Sequence, residues 1–268
     1  MLAVKAPHQI KVRIRYVVRG ERAIFYAAER DRSYWPGDEH EVLVTDLRTV
    51  SAPPSIEHNG FRLLQHRTAV KDLHDAREVE RTYYPEAVEL AKRLNNATHA
   101  IAFGAVARSD RPDSSNGRLP AYGAHVDYGR RTIEDIGRPM LGAQADYWFS
   151  RRVVLMNLWR PISTVQRTPL ALCDAATVQA EDLHDSEIRG GLDDPNRPPL
   201  YGYNLSYSQR HRWYYTSRMQ PDELYAFKLY DSDAGQPRWT GHTAIDDPET
   251  AADAPPRESI EIRTISFI

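Results

Sequence analysis

Among ten histidines and 21 aspartates in 268 residues, one pair, His125-Val126-Asp127, has the His-x-Asp spacing. On a strand, residues i and i+2 point to the same face, so this imidazole and this carboxylate can converge on one ion. A second, distant histidine would complete a two-histidine, one-carboxylate triad. That donor set suits Fe(II) and leaves open positions for a co-substrate and O2. The spacing is weak by itself, because this composition gives about one such pair by chance.

The C-terminal third supplies the rest of a site. His242 follows an apolar run and the Asp-rich turn Asp231-Ser232-Asp233, and precedes a loop that leads to Arg257-Glu258-Ser259-Ile260-Glu261-Ile262-Arg263. If that last segment is a strand, Arg257, Ser259, Glu261 and Arg263 share a face. A guanidinium fork with a hydroxyl two residues on can grip a carboxylate. A distal histidine followed by Arg-x-Ser on the last strand is the order expected of an iron site that binds 2-oxoglutarate. His211, in Gln209-Arg210-His211-Arg212-Trp213-Tyr214-Tyr215, competes for the distal position. Choosing it would make Lys228 the clamp and leave every later segment unused, so His242 is preferred. His211, Trp213 and Tyr215 then read as a pocket wall, with Tyr128 beside the metal pair, although His211 reads equally well as an ordinary core histidine. Asn157, a polar residue inside the apolar run Val153–Trp159, needs a partner or faces the pocket. Arg160 ends that run, as a co-substrate contact or as a structural arginine.

The elements that must position these residues are mostly strands. Segments 12–18, 23–26 and 41–44 are β-branched and aromatic, and 70–94 shifts to helical spacing with Pro85 in a tolerated first-turn position. Asn95-Asn96 ends the helix. After it come short strands near 100–103, 153–159, 170–173, 200–207, 212–216, 224–230 and 258–268, a mainly β pattern that suggests a sandwich or barrel. Residues 108–119 read as a polar loop able to act as a lid, and the acidic cluster Glu181–Asp185 only mimics a metal site, because its neighbours Arg189-Gly190-Gly191 and Asp193-Asp194-Pro195 read as surface loop. The expected organisation is a single domain over 1–268, with 1–97 packing on a site-bearing core formed by 98–268.

Composition narrows the classes. Lys+Arg number 35 against 37 Asp+Glu, a net charge of −2, without the basic excess of a dedicated nucleic-acid binder. No apolar stretch is long enough for a membrane helix. Cys173 is alone, which rules out a disulfide framework or a cysteine cluster, and its apolar neighbours make it a core thiol. The expected setting is cytoplasmic, with a small-molecule substrate, no nucleic acid and no membrane; a homodimer is left open. Dinucleotide, P-loop, nucleophile-elbow and zinc-helix motifs are all absent.

Over most of its length the chain resembles the non-haem iron, 2-oxoglutarate-dependent oxygenases grouped with the cephamycin 7-methoxylation protein, fungal meroterpenoid dioxygenases and gibberellin-desaturase-like proteins. The resemblance is carried by Val44–Arg48, Asn59-Gly60-Phe61, Thr82–Glu86, His125-Val126-Asp127-Tyr128, Asn157–Pro161, Pro169–Asp174, His211–Tyr215 and Pro256–Arg263. It implies a double-stranded β-helix, or jelly roll, with flanking helices. His125, Asp127 and His242 match the Fe(II) ligands and Arg257 the clamp of 2-oxoglutarate. The implied activity is C–H oxidation of a small molecule with O2 (hydroxylation, desaturation or oxidative cyclisation), a chemistry of natural-product biosynthesis. The alternatives are an iron oxidase that needs no 2-oxoglutarate and a non-catalytic jelly-roll binding protein. The family favours Thr where this chain has Gly129, at the expected substrate mouth.

Overall fold

A computed structural model describes residues 6–111, 118–191 and 194–268. Its strands are β1 (Gln9–Val17), β2 (Ala23–Tyr26), β3 (Gly37–Asp46), β4 (Phe61–Gln65), β5 (His99–Ser109), β6 (His125–Val126) and β7 (Val153–Pro161). They continue as β8 (Leu170–Cys173), β9 (Leu183–Arg189), β10 (Leu200–Leu205), β11 (Trp213–Tyr215), β12 (Glu223–Asp231), β13 (His242–Ala244) and β14 (Glu258–Phe267). Two sheets result, ordered β1-β3-β11-β8-β13-β6-β10-β9-β2 and β4-β12-β7-β14-β5. They enclose a shared apolar core and form a jelly roll, as the resemblance implied.

Alternation decides which residues enter that core. In β1, Ile10, Val12, Ile14 and Tyr16 are buried while Lys11, Arg13 and Arg15 face solvent. The Ala124 N–H donates to the Arg15 carbonyl at 2.8 Å, so the large sheet curls until its first strand meets the residues just ahead of β6. On β7, Val153, Leu155 and Trp159 join the core between the sheets. Val154, Met156 and Leu158 pack outward with Ala87 and Leu90 of the helix Tyr84–Asn95. That helix has Pro85 in its first turn and ends on Asn96 at φ 52°, a left-handed cap that asparagine tolerates.

Two elements depart from the sequence reading. Leu183–Arg189 is a strand that the sequence does not announce; its buried Glu187 is neutralised by Arg22 and Arg189, so ion pairs replace the apolar alternation that marks strands. Residues 130–141 form a helix the sequence reading passed over, because only Thr132, Ile133 and Gly137 are buried on it. Thr132 Oγ1 donates to the Tyr201 carbonyl at 2.9 Å and accepts from the Tyr201 N–H at 2.6 Å, tying this helix to β10. The helix thereby fixes the chain that has just passed through Asp127. Of the expected 108–119 loop, 108–109 belong to β5 and residues 112–117 lie outside the described residues. No described helix is long and apolar enough to cross a membrane.

Candidate metal and co-substrate site

β6 and β13 are antiparallel neighbours with His125 opposite His242, which puts both rings on one face with centroids 4.2 Å apart. Asp127, two residues on, shares that face. Asp127 Oδ1 lies 3.5 Å from His125 Nε2 and 3.6 Å from His242 Nε2. The three side chains offer ligand atoms all within 4.8 Å of one another. Each histidine turns its other nitrogen to a backbone carbonyl, His125 Nδ1 to Gly123 O at 2.8 Å and His242 Nδ1 to Thr240 O at 3.4 Å. Such bonds leave Nε2 as the nitrogen able to donate to a metal. Burial, reinforced by the neighbouring His125, pushes His242 below the usual histidine range and so favours the neutral, ligating form.

Close backbone approach makes this possible. A β-carbon on Gly202 of β10 would fall 2.2 Å from the Asp127 carbonyl oxygen, so only glycine lets the strands meet there. At Gly129, where the family favours Thr, a β-carbon would come within 3.0 Å of the Tyr203 hydroxyl, which fills that space.

Across the core, β14 supplies the counter-charges. Arg263 donates from Nε and Nη2 to Asp127 Oδ2 at 3.2 and 3.0 Å, and from Nη2 to Glu261 Oε1 at 2.8 Å. Arg108 donates to the same Glu261 oxygen at 2.9 Å, and Asn157 Nδ2 reaches Asp127 Oδ2 at 3.3 Å. Burial by itself would raise the Asp127 carboxyl, but the Arg263 guanidinium outweighs it and holds it well below the ordinary range. Oδ2 is therefore occupied by Arg263 and Asn157, and Oδ1 is left for an ion.

Glu261 is held at about 2 because Arg108 and Arg263 overcome its burial. A depressed carboxylate contributes stability above its unfolded pKa and loses it as pH falls through the folded value. The stability gap between the wild type and Glu261→Gln is thus expected to be full at pH 7. It closes between about 4.5 and 2. Thermal unfolding of both proteins at pH 7, 4.5 and 3 checks this; a gap independent of pH would refute it.

Next to the triad, His125, Trp159, Leu170, His242, Arg257 and Glu261 line a small cavity. Arg257 is 2% exposed, with its Nη1 donating to the Thr168 carbonyl at 2.7 Å. Its Nε and the Ser259 hydroxyl are buried without a hydrogen-bond partner among the described residues. Burial, with Arg108 nearby, lowers the Arg257 pKa to about 10, a guanidinium short of negative charge. An incoming carboxylate would satisfy both orphaned groups.

The remaining candidates divide. Tyr128 stays beside the site, its ring 5.7 Å from the Arg263 guanidinium. Arg160 does not: it lies on the outward face of β7, donating to Tyr83 Oη at 3.2 Å and to the His66 carbonyl at 3.0 Å. Asn157 and Arg160 are three apart, and a period of two sends them to opposite faces. His211, Trp213 and Tyr215 also fall elsewhere. Leu172 pairs with both His242 and Tyr214, so Trp213 and Tyr215, one residue either side of Tyr214, face away from the triad. Trp213 Nε1 donates to Tyr16 Oη at 2.8 Å, and His211 stacks on Tyr16 with Nε2 3.3 Å from the buried Asp182. Asp182 also pairs with Arg19 and Arg210, so the buried carboxylate of the acidic run 181–185 is committed to ion pairs. The sequence reading placed Arg263 and Glu261 on the right face but gave them no role, since neither has a motif.

A family described as an oxidoreductase/YMDC permease-like domain matches residues 14–267. The chain is 30% identical over 240 residues to an alpha-ketoglutarate-dependent dioxygenase, phiK, of a fungal species, covering 85% of this chain and 84% of that one. The chain belongs to the Fe(II)/2-oxoglutarate-dependent oxygenases. It is 29% identical to the hydroxylase/desaturase efuI of Hormonema carpetanum over 84% of its own length and 83% of that protein's. A solved structure of the iron and alpha-ketoglutarate-dependent endoperoxidase NvfI superposes with a TM-score of 0.88 at 25% identity, over 99% of each chain. The cofactors of this class are Fe(II), 2-oxoglutarate and O2, and the His125–Asp127–His242 cluster fits the iron.

Proposed function

We propose that His125, Asp127 and His242 hold Fe(II), that Arg257 and Ser259 bind the far carboxylate of 2-oxoglutarate, and that the enzyme oxidises a C–H bond of a small molecule in natural-product biosynthesis. The observation that carries this is the pairing of a converged triad with a buried Arg257 whose Nε, like the Ser259 hydroxyl, lacks a partner among the described residues. When bound, the iron supplies the oxidising chemistry, with 2-oxoglutarate and O2 going to succinate and CO2 as the substrate is oxidised. The chain's own part is positional. Arg263 and Asn157 fix the Asp127 carboxylate so that one oxygen faces the ion, and the Gly123 and Thr240 carbonyls fix both imidazoles. Trp159, 5.5 Å from the Arg257 guanidinium, walls the co-substrate cavity. The biosynthetic role rests on the relatives, hydroxylase/desaturases and a dioxygenase of fungi.

The test is anaerobic titration of the Fe(II) protein with 2-oxoglutarate, following the visible charge-transfer band of the chelate. The band is expected in the wild type. Arg257→Ala should weaken 2-oxoglutarate affinity by roughly 10–100-fold, the value of about 1.5–3 kcal/mol for hydrogen bonds to a charged group. Bound iron without a band would instead favour an oxidase that needs no 2-oxoglutarate.

A further inference from the structure

We infer that Asp110 and Thr168 are positioning residues for the co-substrate: they hold the Arg257 guanidinium through a backbone carbonyl, so that it is oriented for a carboxylate without being neutralised. This rests on the reading of Arg257 as the clamp of 2-oxoglutarate. Asp110 follows the last residue of β5 and Arg257 precedes the first of β14, and these strands pair Ser109 with Glu258. Their ladder runs one step further, with the Asp110 N–H donating to the Arg257 carbonyl at 3.3 Å. Thr168 comes from the other sheet, two residues before Leu170 opens β8.

Each of these three residues bonds the other two. Thr168 Oγ1 donates to Asp110 Oδ2 at 2.9 Å, and the Thr168 carbonyl accepts from Arg257 Nη1 at 2.7 Å. Arg167 steadies the same carboxylate, its Nε 2.9 Å from Asp110 Oδ2. Thr168 meets both partners at a conformational cost. Its φ is 51°, a left-handed backbone that a β-branched residue resists, and Pro169 behind it favours extended backbone instead. Such a conformation persists only where its surroundings impose it, and here the hydroxyl bond to Asp110 does so in a site that is 6% exposed.

The consequence is electrostatic. A carboxylate set directly on Arg257 would orient it as well, but would compete with the incoming acid for the same fork. Two acids act on the Arg257 charge from nearby, and both are committed elsewhere. Asp110 is held by Thr168 and Arg167, and Glu261 by Arg108 and Arg263. Arg257 itself receives a neutral carbonyl on Nη1 and the Trp159 ring 5.5 Å from its guanidinium carbon. The guanidinium is thereby fixed, while Nε, buried without a partner among the described residues, keeps its hydrogen bond for the ligand. Ordering the fork in advance removes that entropic cost from the binding step.

The experiment compares 2-oxoglutarate with pyruvate, a 2-oxo acid that lacks the far carboxylate, in anaerobic titrations of the Fe(II) full chain followed by the charge-transfer band. Asp110→Ala and Thr168→Gly are each expected to weaken 2-oxoglutarate binding by about tenfold, the worth of one well-made hydrogen bond. Pyruvate binding, and Fe(II) affinity read by equilibrium dialysis, should stay unchanged. Glycine suits the left-handed backbone, so Thr168→Gly keeps the fold. Thr168→Ser and Asp110→Asn retain the hydroxyl and an acceptor oxygen and should recover most of the affinity. If Asp110→Ala and Thr168→Gly both stay within about twofold of the wild type while Arg257→Ala is weakened, the inference is overturned and the clamp stands. Parallel loss of 2-oxoglutarate and pyruvate would overturn it as well, since the damage would then be general. An Arg257→Ala protein that binds 2-oxoglutarate normally would instead strike the clamp, and this inference with it.

Discussion

Replacing His242 with alanine is expected to lower Fe(II) affinity by more than about 100-fold and to remove 2-oxoglutarate turnover, while the chain stays folded. Loss of groups that merely orient a metal ligand typically costs about 10–100-fold, and a lost ligand costs more. His242 is 3% exposed and its ring lies 4.9 Å from Phe227, so the substitution also opens a hole in the core. The removed group is a neutral imidazole, though, and no charge is left without its partner. Asp127 keeps Arg263 and Asn157. Iron binding measured by equilibrium dialysis, beside circular dichroism, separates the two effects. Iron retained at near wild-type affinity would remove His242 from the ligand set.

The Arg263→Met substitution is expected to act in the opposite way, on stability first. Arg263 is 3% exposed and bridges two buried carboxylates, Asp127 and Glu261. Methionine fills much of the volume but leaves both acids facing each other with only Arg108 and Asn157 in support. Removing one partner of a buried pair typically costs about 3–5 kcal/mol, because the remaining charge stays desolvated. For a chain of this size that corresponds to a fall of roughly 6–20 °C in Tm, extrapolating from about 2–4 °C per kcal/mol. Added Fe(II) should recover part of the loss, since the ion supplies positive charge at Asp127. Arg263→Lys retains the charge but loses the fork, and should lie between the two. Differential scanning calorimetry with and without Fe(II) reads all three. An unchanged Tm for Arg263→Met would mean the network carries no stability.

Comparing residues shows why some of the site was legible and some was not. His125 and Asp127 could be paired from the chain alone because their relation is local, two steps along one strand. That Arg257 and Ser259 share a face was legible for the same reason. Arg160 was misplaced beside Asn157 although strand periodicity already separates them. His211 fails for a less visible reason. It precedes an aromatic strand that suits a pocket wall, and only the pairing of Leu172 with Tyr214 and His242 shows that Trp213 and Tyr215 face away.

By itself the sequence determined the period-two strands, the helix after Pro85 and the local His-x-Asp and Arg-x-Ser pairs, all of which depend on neighbours a few residues apart. The tertiary structure decided what depends on contacts across long separations. It set His125 opposite His242 and brought Arg263 to Asp127 136 residues away. It also buried Arg257 Nε without a partner among the described residues and gathered arginines from distant segments around one cleft. A strand fixes the face of its own residues, but which strand lies opposite is set by register and packing, and those exist only once the two sheets have closed.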